Sequence, residues 1–134
     1  MFKLNNRGQS LVMFVIIIPI FLLIITLVYD VGNAIYEKNR IENVVYMTID
    51  YGLDNVDKVS KNDLTELIME NINNIKYISV DIDDKKIDIK VTKDVKGIVG
   101  KIFKFNLITI ETHYVGNIVD GKSSIERIVW CNGR

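Results

Sequence analysis

The sequence has few of the residues that cross-link a fold, bend the backbone or serve in catalysis. Its 134 residues include one cysteine, Cys131, one histidine, His113, and one proline, Pro19. One cysteine excludes an intramolecular disulfide framework, so apolar burial must hold the fold, and the thiol either pairs between chains or stays free. One histidine leaves no two-histidine zinc site and no recognisable pairing with the cysteine. We expect no metal site, and His113 should lie at the surface or edge of a strand.

Charge of one sign is also lacking. The 17 Lys and Arg residues balance 17 Asp and Glu residues, and the two signs are interspersed along the chain. The basic stripe typical of nucleic-acid binding is missing, and no electrostatic partner is implied. The sequence also has no phosphate-cradling glycine loop, no nucleophile elbow and no HExxH motif. We therefore predict no enzyme, no cofactor and no small-molecule substrate.

Four aspartates around one turn have the composition of a calcium loop: Asp81, Asp83, Asp84 and Asp88. Lys86 stands where such a loop requires glycine, and the terminal glutamate is missing. We interpret the cluster as a solvated hairpin turn.

What the sequence has in abundance is one long apolar run. Leu11 to Tyr29 carries no charged residue across 19 positions. At about 1.5 Å per residue, a helix of this length covers about 28 Å, close to the roughly 30 Å hydrocarbon thickness of a bilayer. Lys3 and Arg7 precede the run and Asp30 follows it, so the positive-inside tendency keeps the N-terminus cytoplasmic. We predict a single-pass cell-membrane protein whose C-terminal part is extracytoplasmic.

A cleaved secretory signal is the competing interpretation of this run, because Gly32 and Ala34 have the small-x-small spacing of a signal-peptidase site. The run is longer than the usual apolar core of about 7 to 15 residues, and Asp30 intervenes before the small residues. We favour a retained span, with residues 1–8 as a cytoplasmic leader and 9–29 as the transmembrane helix.

Helical periodicity continues beyond the membrane. Apolar residues at spacings of three and four predict that residues 30–53 extend the membrane helix as an amphipathic helix. Pro19 is expected to kink this rod and Gly32 to weaken it, so that the rod is interrupted. Gly52 with Asp54-Asn55 is expected to be the helix stop, because glycine tolerates a left-handed cap and the Asx residues favour turns. Residues 54–134 remain for one small α+β domain of ordinary size.

The small domain is predicted to contain a short helix followed by an antiparallel sheet. Ser60 and Asp63 form a capping box ahead of an amphipathic segment. Alternating or β-branched composition predicts four strands, at 78–82, 87–91, 107–115 and 125–130. The first two should pair as a hairpin.

A lysine-rich helical segment lies between the second and third predicted strands. Apolar residues of 95–103 recur at helical spacing, with Lys96, Lys101 and Lys104 on other faces. Such a helix either packs on the sheet or lies against lipid headgroups. We favour packing on the sheet.

The residues ahead of the apolar run are laid out like a processing signal. Arg7-Gly8-Gln9-Ser10 places a basic residue and a glycine just before an apolar helix, which is the layout that a prepilin peptidase reads. About the first 45 residues resemble TadE-like pseudopilins of tight-adherence (Tad) pilus and secretion systems. The resemblance also rests on Pro19 in the helix, Asp30-Val31-Gly32 at its outer edge and Tyr36 beyond. The remainder matches that family only in its pilin-like layout.

The resemblance implies a route of processing. A membrane-embedded aspartyl peptidase would cut between Gly8 and Gln9 on the cytoplasmic side and leave the helix in place. Pilin-like proteins usually carry glutamate at the fifth mature position, whereas the fifth residue counted from Gln9 is Met13. An acidic side chain at the bilayer centre costs about 2.5 to 3.5 kcal/mol on insertion scales, so Met13 suits a chain that stays in lipid.

The resemblance therefore implies a minor or accessory membrane-anchored pseudopilin, which acts in pilus assembly by helix packing with other pilin-like subunits. Its partners would be the lipid bilayer, a prepilin peptidase and those subunits, and its assembly residues would be Met13, Pro19, Asp30 and Gly32. Asp30 either orients a cation of a partner subunit or marks the aqueous boundary, and we favour the boundary. The alternative function is an unprocessed, membrane-tethered adhesin or envelope sensor. Richness in isoleucine, lysine and asparagine is typical of AT-rich bacteria.

Overall fold

The protein is described by a computed structural model covering residues 6–104 and 108–128. Within these residues, helices α1, α2 and α3 span Asn6–Asp54, Lys61–Asn71 and Ile98–Phe103. The strands β1, β2, β3 and β4 span Tyr77–Asp83, Lys86–Val95, Ile108–Val119 and Lys122–Arg127. The predicted α+β class is confirmed: a long apolar helix comes first, then a short helix and an antiparallel sheet.

The first helix is one continuous element of 49 residues. Our expectation that the rod is interrupted is wrong, because the helix continues through Pro19 and Gly32; a kink at Pro19 stays a prediction. A proline removes one backbone hydrogen bond, and an apolar surrounding supplies no water to compete for the remaining ones. Gly32 costs about 1 kcal/mol relative to alanine, which a long helix tolerates.

The predicted helix stop is confirmed at Asp54-Asn55, but Gly52 does not end the helix. Helix α1 continues to Asp54, and the side-chain Nδ2 of Asn55 donates to the carbonyl oxygen of Tyr51 at 3.0 Å. Gly52 is buried, and a Cβ there would lie 2.7 Å from Cδ1 of Ile87. The glycine therefore permits close approach of the sheet to α1, and the prediction of a left-handed cap is wrong.

The capping box of α2 is confirmed. The Ser60 backbone N–H donates to Oδ2 of Asp63 at 2.9 Å, and the Asp63 N–H donates to Oγ of Ser60 at 3.3 Å. This carboxylate accepts from the Ser60 backbone and hydroxyl, which lowers the pKa of Asp63. Helix α2 ends at Asn71, and Ile72 already has an extended backbone.

The four strands form an antiparallel sheet in the order β1-β2-β3-β4. The predicted hairpin is present, with Asp83 paired to Lys86 across its turn. Strand β3 runs to Val119, four residues beyond the prediction, and β4 begins at Lys122 because Asp120 and Gly121, both with positive φ, form the turn. The predicted last strand extended to Trp130, which lies outside the described residues, as does Cys131.

One face of the sheet packs on the second half of α1 and on α2. Strand β2 runs antiparallel to α1 and β3 runs parallel to it, so that Lys93 lies near Glu37 while Gly116 lies near Ile49. The shared core contains fully buried side chains from α1, α2 and the sheet: Ile41, Val45, Ile49, Leu64, Ile68, Ile87, Ile89 and Val91. We call residues 30–104 with 108–128 the C-terminal domain, since this half of α1 is part of its core.

Candidate functional site at the membrane end of the C-terminal domain

Asp30 is the first charged residue after the apolar run, and it is 4% exposed. Its Oδ1 accepts from the backbone N–H of Ile98 at 2.7 Å, and its Oδ2 accepts from that of Val99 at 2.9 Å. Each carboxylate oxygen therefore satisfies one otherwise unbonded N–H in the first turn of α3. A buried charge is tolerated when it is hydrogen-bonded in this way. The carboxylate ties α3 to the outer end of the apolar run.

Gly97 makes this contact possible. It precedes α3 with an extended backbone, and a Cβ at this position would collide with Oδ2 and Cγ of Asp30. Only glycine leaves room for the carboxylate to reach the two N–H groups. Sequence reasoning missed the role of Gly97, because no neighbouring residue indicates a partner 67 positions earlier. The one local signal was a glycine directly before a short helical pattern, which marks a helix start but not its partner.

A polar hollow adjoins α3 on the side of β2. The ammonium of Lys93 lies 3.0 Å from Oε2 of Glu37, and both side chains are largely buried. The hollow has a volume of about 620 Å³, and its lining also includes Lys76, Lys96 and Lys101. Four lysines and the two carboxylates of Glu37 and Asp94 leave the lining with two positive charges in excess.

Asp94 is held at the rim of this hollow. Its Oδ1 accepts from the hydroxyl of Thr109 at 2.7 Å, and its Oδ2 lies 3.1 Å from the ammonium of Lys76. The hydrogen bond from Thr109 and the contact with Lys76 lower the pKa of Asp94. The carboxylate is therefore ionised at neutral pH.

The opposite face of α1 is uncovered. Nothing lies within 4 Å of a Cβ built on Gly32, and Tyr36 and Met47 are exposed on the same side. At 100° per residue, these positions lie away from the face that carries Ile41 and Val45 into the core. We call Gly32, Tyr36 and Met47 the outward face of α1.

The other predicted site residues lie along the apolar half of α1. Gly8, Gln9 and Met13 are exposed, and Pro19 is inside the helix. The fold brings none of these to the C-terminal domain, whereas it brings Asp30 against α3. The roles assigned to these residues in processing and assembly stay predictions.

His113 lies on β3, between β2 and β4, so the expected surface or edge position is wrong. Its Nε2 lies 2.6 Å from Oδ1 of Asp88, and its side chain is largely buried. In the acidic cluster near the hairpin, Asp81 lies 3.2 Å from the ammonium of Lys61, and Asp83 and Asp84 are exposed. Among the residues described, no group of three His, Cys, Asp or Glu is arranged to hold a metal ion.

In the described part of the chain, one helix is long and apolar enough to cross a membrane, and its apolar window is wholly uncovered. Fold and site therefore define a single-pass membrane anchor that carries a small α+β domain. The family model described as TadE-like protein matches residues 8–50. The chain is similar to TadE-like proteins across this segment, which contains the apolar run, Asp30 and the first part of the domain core. Comparison with curated proteins and with solved structures gave no match.

Proposed function

We propose that this chain is a minor, membrane-anchored pseudopilin of a Tad-type pilus or secretion apparatus. The TadE-like match and the long apolar helix fit a membrane protein related to the Tad pilus. TadE-like pilus components are structural rather than enzymatic, so the proposed activity is assembly by contact and not catalysis. The proposed location is the bacterial cell membrane, with Lys3 and Arg7 on the cytoplasmic side and the C-terminal domain outside.

The observation that carries this proposal is the one-sided packing of α1. The sheet and α2 cover the face bearing Ile41 and Ile49, while the outward face, with Gly32, Tyr36 and Met47, stays open. An open face on the same helix as the apolar run can pack against the equivalent helix of another pilin-like subunit. Gly32 supports close approach there, because it adds no side chain between two helices.

Photo-crosslinking tests the proposed packing. A photoreactive residue at Tyr36 or Met47 should crosslink to pilin-like subunits in membranes that contain the apparatus. The control position is Ser124, which is exposed on β4, and it should give no such product. Equal yields at Ser124 and Met47 would contradict packing through the outward face.

Processing is a separate step of the proposal. The Gly8–Gln9 bond lies in the first turns of α1, which begins at Asn6. Helix ends fray, so a peptidase can unwind this turn without disturbing the core. Intact mass measured from cells with and without a cognate prepilin peptidase should show loss of residues 1–8 only with the peptidase. Gly8→Ala should abolish the loss, and Gly32→Ala should leave it unchanged.

An unchanged mass in peptidase-containing cells would contradict processing. It would favour the alternative of a permanently anchored adhesin or envelope sensor. Crosslinking through the outward face would still be expected of an unprocessed assembly component, and its absence would remove that role as well.

Met13 distinguishes a minor component from a bulk filament subunit. It is exposed on α1 and offers no charge to a neighbouring amino terminus. Met13→Glu should increase crosslinking to pilin-like subunits, because a carboxylate at that position can pair with an amino group inside the bilayer. Val12→Glu, one position away on another face of the helix, is the control. Equal crosslinking of wild type and Met13→Glu would mean that Met13 does not limit association.

A further inference from the structure

Helix α3 is fixed to α1 at the point where the apolar run ends. The contact is the pair of hydrogen bonds from Ile98 and Val99 to the Asp30 carboxylate, at 2.7 and 2.9 Å. Tyr29, one residue earlier, is exposed, and aromatic residues commonly lie at the boundary between hydrocarbon and headgroups. If α1 spans a bilayer to Tyr29, α3 lies at the level of the headgroups.

Most of the apolar surface of α3 is uncovered. Val99 is buried against the domain, but Ile98, Ile102 and Phe103 are 44%, 68% and 61% exposed. Three large apolar side chains exposed on a helix of six residues are an apolar surface that soluble domains rarely offer to water, and we call them the apolar patch of α3. Our sequence-based preference for packing on the sheet is wrong: among the elements described, α3 contacts α1 and no strand, and these three side chains are uncovered.

Lysines surround this patch. Lys96, Lys101 and Lys104 are exposed, and no ion pair to any of them is found within residues 6–104 and 108–128. Of the carboxylates close to α3, Asp30 accepts from the α3 backbone. Asp94 accepts from Thr109, contacts Lys76 and also attracts Lys96 electrostatically. Lys96 and Lys101 also line the hollow whose lining carries excess positive charge.

We propose that α3 docks on the membrane surface beside the span. Ile102 and Phe103 enter the boundary between acyl chains and headgroups, and Lys96, Lys101 and Lys104 contact anionic lipid phosphates. An apolar face with lysines at its border is the chemistry of an interfacial helix, and each lysine near an anionic leaflet adds attraction. We call these five residues the α3 surface. The inference needs α1 to span a membrane, and it does not depend on a pilus role.

Docking would give the C-terminal domain two attachments to the bilayer. A span alone leaves the domain free to rotate about the axis of α1. A second contact through the α3 surface, rigidly coupled to α1 by Asp30, fixes that rotation. It thereby sets the direction in which the outward face of α1 meets a neighbouring subunit.

The test is the immersion depth of a spin label in nanodiscs that hold one chain each. The full chain carries Cys131→Ser and a nitroxide on Ile102→Cys or, as the control, on Val119→Cys. Val119 is 61% exposed at the β3–β4 turn, near the level of Leu53, about 35 Å along α1 from Asp30 at 1.5 Å per residue. Both sites are surface positions, so neither label disturbs the core.

In nanodiscs with phosphatidylglycerol, the label at 102 should collide more with oxygen, which concentrates in lipid, than with a water-soluble nickel chelate. The label at 119 should show the reverse. Equal nickel accessibility at both positions overturns the proposal, and so does shielding of position 102 from both reagents, since that would indicate burial in protein.

The lysines are tested in the same system. In the label-102 chain, Lys101→Gln and Lys104→Gln should each lower the ratio of docked to undocked label about fivefold, which corresponds to about 1 kcal/mol per lysine at an anionic surface. Lys122→Gln, at the distal turn, should leave the ratio unchanged. Equal ratios for all three variants, or no difference between phosphatidylglycerol and phosphatidylcholine discs, would overturn the assignment to anionic headgroups.

Discussion

At the scale of single residues, the structure gives Asp30 a local partner. A carboxylate at the end of a membrane span is expected to face water or a partner's cation, yet this one is bonded to two backbone N–H groups of α3. Hydrogen bonds to a carboxylate stabilise more than neutral ones because a formal charge attracts the N–H dipole more strongly than a carbonyl does. Asp30 therefore connects the anchor to the domain, whether or not it also influences assembly.

Asp30→Asn should destabilise the C-terminal domain. Asparagine keeps one acceptor oxygen, but its NH₂ group would face an N–H of α3. The expected loss in the free energy of unfolding is about 1.5 to 3 kcal/mol, the usual contribution of hydrogen bonds to a charged group. Urea unfolding in micelles measures it, and hydrogen exchange at the Ile98 and Val99 amides should accelerate.

Asp50→Asn is the matched control, because Asp50 is exposed on the same helix. It should change neither stability nor exchange at residues 98 and 99. If Asp30→Asn left those two amides as protected as in the wild type, the proposed connection between anchor and domain would be wrong.

Two glycines of this site should respond oppositely to alanine. Gly97→Ala would place a Cβ against the Asp30 carboxylate and should therefore destabilise the domain. In a double mutant with Asp30→Asn it should cause little further loss of stability, because both substitutions remove the same contact. Gly32→Ala meets nothing within 4 Å and should stabilise α1 by about 1 kcal/mol. Thermal unfolding of the four variants checks both signs, and additive effects at 30 and 97 would contradict the shared contact.

At the scale of elements, α2 and the hairpin follow from local chemistry, whereas α3 does not. Ser60 and Asp63 cap α2 with groups three residues apart, and the hairpin pairs segments separated by one turn. In contrast, α3 has six residues and a glycine before it, too short to be stable alone. It exists because Asp30 and the packing of Val99 hold it.

The capping box predicts a pH dependence of stability. Hydrogen bonds from the Ser60 backbone and hydroxyl lower the pKa of Asp63, so the native state favours the ionised carboxylate. This stabilisation is complete above the unfolded-state pKa of about 4 and is lost as pH falls through the lower folded-state value. Asp63→Asn should therefore reduce the loss of stability between neutral and acidic pH, measured as urea midpoints.

Glu66→Gln is the control, because Glu66 is exposed on the same helix. Its pH profile should follow that of the wild type. An Asp63→Asn profile as steep as the wild-type one would contradict the role of the capping carboxylate. Ser60→Ala should cost about 1 kcal/mol at neutral pH, the usual effect of losing a serine N-cap.

At the scale of the whole molecule, the anchor and the domain share a helix. The first half of α1 is uncovered, whereas the second half contributes fully buried side chains to a core shared with α2 and the sheet. The ion pair of Lys93 with Glu37, at 3.0 Å, and that of Arg127 with Glu42, at 3.3 Å, join the sheet to the same helix. Movement of the anchor is therefore transmitted directly to the sheet.

Identical substitutions in the two halves of α1 should have different effects. Ile49→Ala removes a fully buried side chain and should lower the free energy of unfolding by about 2 to 5 kcal/mol. Ile24→Ala removes one that is exposed in the apolar half and should leave domain unfolding unchanged. Urea titration in micelles, followed by near-ultraviolet circular dichroism, measures the free energy of unfolding of both variants. Equal losses of stability would contradict the finding that only the second half of α1 contributes to the core.

The sequence by itself determined the elements whose signals are local. Leu11 to Tyr29 carries no charged residue over the length that a span requires. The spacing of apolar residues beyond Asp30 is helical, and the alternation of apolar and polar residues defines the two hairpin strands. These features depend on hydrophobic periodicity and on hydrogen bonds between near neighbours, both readable from consecutive residues. The continuity of α1 through Pro19 and the role of Gly52 could not be read in this way, since both depend on surroundings.

The tertiary structure alone decided what distant residues do for one another. Asp30 meets Ile98 and Val99 because β2 returns along α1 to its membrane end, and Gly97 and Gly52 are needed only because of what then lies against them. His113 occupies an inner strand only once β4 pairs beyond it. Contacts at large sequence separation depend on the register and packing of whole elements, so single residues carry no local signal for them.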